Sequence, residues 1–89
     1  MTPSQGSYAE MPAEDAHLLF GLLTEKDPAL ARQLADSTAI SEEARKSVAL
    51  VVAREFKREL DPTYEPTDRG RALDAMLRRF LEKWPIPPD

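Results

Sequence analysis

Two stretches of helical periodicity, Ser41 to Leu60 and Thr67 to Trp84, carry the larger share of the chain's bulky apolar side chains and limit the fold to an all-α domain. In the second stretch Leu73, Met76, Leu77, Phe80, Leu81 and Trp84 fall within an arc of about 140° at 100° per residue. Asp74, Arg78, Glu82 and Arg71 lie opposite, with Asp74–Arg78 and Arg78–Glu82 at the i,i+4 spacing that stabilises an exposed face. In the first stretch Ala44, Val48, Val52, Phe56 and Leu60 form one i,i+4 track. The β-branched run Val48 to Val52 also suits a buried strand, but its length and its charged flanks favour helix. Ser41 and Thr67 supply capping hydroxyls, Glu42, Glu43 and Asp68 complement the positive helix starts, and Pro62 and Pro85 act as stops.

The first half of the chain predicts two shorter helices. Pro12 suits a first helical turn, with Glu14 and Asp15 behind it and Ala16, Leu19, Phe20, Leu22 and Leu23 as a broad stripe reaching about Leu23. Asp27-Pro28 opens the second, a cap followed by proline at the first helical position. Its face is thin (Leu30, Ala31, Leu34, Ala35), so tertiary contacts must hold it. Residues 1–11 are polar, contain Pro3 and Gly6, lack periodicity and predict a flexible arm. Pro85 to Asp89 predicts a polyproline-like tail. The expected organisation is therefore an arm (1–11), one compact four-helix domain (12–84) and a Pro-rich tail (85–89).

Size and composition exclude more functions than they support. Eighty-nine residues hold one core, near the lower limit for independent stability. There is no cysteine, which removes disulfides, thiolate nucleophiles and zinc-thiolate sites. The longest apolar runs fall well short of the roughly 20 residues of a membrane span, and no signal-peptide pattern stands at the start. A cytoplasmic protein without a membrane partner is expected. The formal net charge of −4 opposes undirected nucleic-acid binding while leaving room for a local basic patch.

No catalytic constellation stands out. His17 is the only histidine, and it borders an apolar stripe without a second imidazole or a cysteine. Ser41 lacks a histidine-acid relay, and Asp61, Glu65 and Asp68 lack the spacing and the glycine of an EF-hand. The expectation is a non-enzymatic chain with no cofactor and no metal.

One motif carries two readings. Leu34 to Ala44 has helix-turn-helix spacing: small Ala35 in the first helix, Ala39 in the turn, then apolar Ile40 and capping Ser41. It reads as an ordinary helical corner or as a DNA-recognition unit spanning about 27–60. Thr38 replaces a large aliphatic, Arg45 falls at an inward position, and Glu42 and Glu43 would confront phosphates. The bases for such binding would be Arg45, Lys46, Arg78, Arg79 and Lys83. The clusters Arg54/Lys57/Arg58 and Arg69/Arg71/Arg78/Arg79/Lys83 are interleaved with acids and equally suit solvated faces.

The leading expectation is action by protein–protein contact, with another protein or with a second copy. Leu18, Leu22, Leu50 and Val51 are apolar surface in excess of a single packed face and would form an adhesive patch if exposed. Trp84 with Pro85-Ile86-Pro87-Pro88 reads either as the end of the core or as a docking tail.

Overall fold

The computed structural model describes residues 5–59, 63, 65 and 67–87. Four α-helices pack into one compact body: α1 (Ala13–Lys26), α2 (Pro28–Asp36), α3 (Glu42–Arg58) and α4 (Asp68–Lys83). No strand occurs among the described residues. The expected all-α four-helix domain is what the chain forms, with two shorter helices followed by two longer ones.

Three of the starts form as the capping residues dictate. Asp27 accepts from the Leu30 amide, Ser41 from the Ala44 amide and Thr67 from the Gly70 amide, each satisfying a donor that the helix itself leaves free. Pro12 differs from expectation by one position: it precedes α1 as the N-cap, and the helix begins at Ala13. α1 also continues past Leu23 to Lys26. α3 ends at Arg58; the expected final apolar position, Leu60, lies outside the described residues, as do Asp61, Pro62, Tyr64 and Pro66 of the connection. The two ends of that connection are tied together. The Thr67 hydroxyl donates to the Glu59 carboxylate at 3.0 Å, and the Thr67 amide donates to the Glu59 carbonyl at 3.1 Å.

α3 and α4 lie side by side, and α1 with α2 closes over them. The interior is filled by Leu19, Leu22 and Leu23 of α1, Leu34 of α2, Val48 and Val52 of α3, and Leu73, Met76 and Phe80 of α4. Ile40 is 4% exposed and anchors the α2–α3 corner in the core, as its place in the motif requires.

The N-terminal segment departs from expectation. Gly6–Glu10 is a 3-10 helix strapped across α1 and α2, not a loose arm. Tyr8 is 1% exposed, meets Phe20 edge to face with ring centroids 5.4 Å apart, and donates its hydroxyl to the Ala31 carbonyl at 3.0 Å. The Ser7 hydroxyl donates to the Ser37 carbonyl at 2.6 Å, satisfying a backbone acceptor just past the end of α2. Gly6 sits at φ 58°, and a Cβ there would stand 2.5 Å from the carbonyl oxygens of Leu34 and Ala35. Only glycine fits this close backbone approach. Residues 1–4 of the expected arm lie outside the described residues.

Candidate interaction surface

The five bases named for nucleic-acid contact are all engaged within the chain. Arg45 is a staple: Nε donates to the Ile40 carbonyl at 2.8 Å and Nη1 to the Pro85 carbonyl at 2.9 Å, fastening the chain just past α4 to the start of α3; Pro88 and Asp89 of the expected tail lie outside the described residues. Lys46 sits 4.0 Å from Glu42 on the same helix, and Arg78 pairs with Asp74 at 3.1 Å. Lys83 reaches the Glu10 carboxylate at 2.9 Å and lies 5.7 Å from the centre of the Trp84 ring. Arg79 grips Asp15 with two prongs, and that hydrogen bond raises the guanidinium's pKa above its usual value. The structure does not gather the five into one open patch. Arg79 and Lys83 brace α4 against α1 and the strap, while Glu42 and Glu43 stand at the exposed start of α3.

Asp15 is the polar residue whose role the sequence conceals. It is 4% exposed, and its carboxylate is satisfied from α4, sixty-four residues away. A carboxylate in the first turn of a helix has a local explanation in the helix dipole, which hides any distant partner. Glu55 is a second such case. At 8% exposure it collects Arg69 at 3.1 Å, with Lys26 and Arg58 each at 4.0 Å, linking α1, α3 and the start of α4.

The expected adhesive residues divide. Leu22 is 1% exposed and belongs to the core, so its expected availability to a partner is corrected: α1 is covered on two sides, by α3 and α4 and by the strap with α2. Trp84 is likewise interior, at 7% exposure, with Nε1 donating to the Thr38 carbonyl at 3.3 Å and its ring 5.1 Å from that of Phe80. Leu18 and Val51 are half-buried against the core edge. Leu50 alone among large hydrophobics of the described residues is exposed, at 51%.

A feature not anticipated involves the same helix. Val52, Ala53, Phe56 and Lys57 of α3 face Asp74 and Leu77 of α4 across an open groove of about 360 Å³. Phe56 and Leu77 are half-buried there, Val52 forms part of the buried floor, and Lys57 and Asp74 stand on opposite rims. Sequence periodicity assigns Phe56 and Leu77 to the core stripes. Periodicity does not show that the neighbouring helix covers them on one side only.

No group of acids and histidine suited to hold a metal ion occurs among the described residues. His17 is exposed on α1. The cleft beside the Asp15–Arg79 pair measures about 50 Å³. No helix of the described residues is long and apolar enough to cross a membrane. Comparison with family models, curated proteins and solved structures finds no match.

Proposed function

We propose that this chain is a small, non-enzymatic, cytoplasmic interaction module whose working surface is the outer face of α3 together with the α3/α4 groove. The observation that carries this reading is the pairing of a half-buried Phe56 and Leu77 in an open apolar groove with the exposed Leu50 on the same helix. Aromatic and aliphatic side chains left partly wet in this way gain by being covered, and such surfaces are where protein contacts form. Elsewhere the charged side chains named above are engaged in internal pairs, Asp15 with Arg79, Glu10 with Lys83 and Glu55 with Arg69.

A photo-crosslinking residue at Leu50 tests the reading in cells. It should trap a discrete adduct, whether with another protein or with a second copy. The same residue at Arg32, exposed on α2 away from the groove, should trap none. Absence of an adduct at both positions, or equal trapping at both, sinks the proposal.

Duplex-DNA recognition by the corner at 27–60 is the second reading. Its support is the α2–α3 corner itself, with Ile40 buried and Ser41 capping α3. Against it stand Glu42 and Glu43 at the start of the would-be recognition helix and the internal engagement of Arg45. A low-salt titration with duplex DNA at about 50 µM, within ordinary nonspecific affinity, should leave the amide spectrum of α3 unchanged. Shifts concentrated in α3 would promote this reading over the first.

A further inference from the structure

We infer that the α3/α4 groove is occupied by a second copy of this chain, packed about a two-fold axis that runs along the groove. This deepens the interaction reading above and rests on it.

The rims of the groove select both the occupant and the axis. Lys57 stands on the α3 rim and Asp74 on the α4 rim. Lys57 has no ion-pair partner among the described residues, whereas Asp74 has Arg78 at 3.1 Å on its outer side. Two copies brought face to face can be related by an axis lying along the helices or by one lying across them. Across the helices, each α3 covers the other copy's α3 and each α4 the other's α4, so no Lys57–Asp74 contact is made. Along the helices, α3 of one copy covers α4 of the other at the same height. Each Lys57 then meets the second copy's Asp74, and the contact forms twice by symmetry. The apolar middle fits the same arrangement: Phe56 of each copy lies over the other's Leu77, with small Ala53 leaving room for close approach.

The size of the face sets the strength. Helices of 17 and 16 residues side by side span roughly 25 Å by 20 Å at 1.5 Å per residue, somewhat below a standard interface of about 800 Å² per partner. A weak dimer in reversible equilibrium with monomer is expected, not an obligate one.

Sedimentation equilibrium on the full chain and on rim variants is the test. Wild type should show a reversible monomer–dimer equilibrium between about 1 and 200 µM. K57D and D74K should each weaken it at least about tenfold, because each places like charges in both symmetry-related contacts. Mixing the two variants in equal amounts should restore dimer. The carboxylate introduced by K57D in one chain then meets the ammonium introduced by D74K in the other, and the second contact keeps its native Lys57 and Asp74. That rescue requires contact between copies and cannot arise within one chain. Circular dichroism confirms that each variant is folded, and F56E, at a half-exposed position, serves as the independent disruption. A wild type that stays monomeric at 200 µM, or variants that dimerise unchanged and show no preference for each other, overturns the inference. In that event the crosslink at Leu50 still decides the broader reading: an adduct with a different protein keeps the interaction module and replaces its partner.

Discussion

Asp15 and Arg79 meet as a two-pronged ion pair, Nε to Oδ2 at 2.6 Å and Nη2 to Oδ1 at 2.7 Å, bolting the first turn of α1 to the last turns of α4. The acid is interior, and the base has a side-chain exposure of 51%. The two members therefore respond differently to removal. R79A strands a carboxylate among apolar neighbours and should lower the melting temperature by several degrees. The paired replacement D15L/R79M should recover part of that loss, because removing both charges leaves none unsatisfied. Thermal melts of the three chains check it, and equal losses for R79A and the double variant would contradict the arrangement.

Gly6 makes the second prediction. G6A introduces a Cβ into the 2.5 Å approach to Leu34 and Ala35 and forces a left-handed φ of 58° on an L-residue. A loss of about 1–3 kcal/mol should appear in urea unfolding. Amide exchange should rise first in the strap and at the end of α2. Exchange unchanged there would mean that the strap adds nothing to the fold.

Burial pushes the Tyr8 hydroxyl up from 10.0 to about 12. The fold favours the neutral phenol, so Tyr8's contribution is whole below pH 10, where the unfolded chain's tyrosine begins to ionise. It falls as pH rises and is gone by about pH 12. Two pH units correspond to about 2–3 kcal/mol. Wild type should lose that much more stability than Y8F between pH 10 and 12, although Y8F starts lower for want of the bond to Ala31. Parallel pH profiles for the two chains would refute the burial.

Leu22 and Leu50 supply a contrast. L22A removes a side chain at 1% exposure and should lower stability by about 2–5 kcal/mol. L50A, at 51% exposure, should change it by about 0.5 kcal/mol or less while reducing adhesion. Chemical denaturation of both settles which leucine faces inward.

Much of this architecture was legible because its determinants are local. Asp27, Ser41 and Thr67 each cap a donor three residues ahead, so sequence spacing alone announces them. The strap was not legible. Five residues of 3-10 helix carry no period, and the burial of Tyr8 depends on a socket built from Phe20 and Ala31, which the chain supplies later. Leu22 is hidden from a sequence reading for a related reason. A wheel shows how wide an apolar arc is but not how many neighbours cover it, and α1 has neighbours on two sides. The groove is concealed in the opposite sense, since periodicity places Phe56 and Leu77 in the same stripes as Val52 and Met76 and does not show which of them a neighbour covers completely.

The position of Trp84 has a practical consequence. It is the chain's single tryptophan, and its indole N–H is held by a backbone oxygen in the bend between α2 and α3. Its fluorescence therefore acts as a built-in gauge of that bend: a red-shifted emission would signal that the bend has opened to solvent, even while far-ultraviolet dichroism still records full helicity.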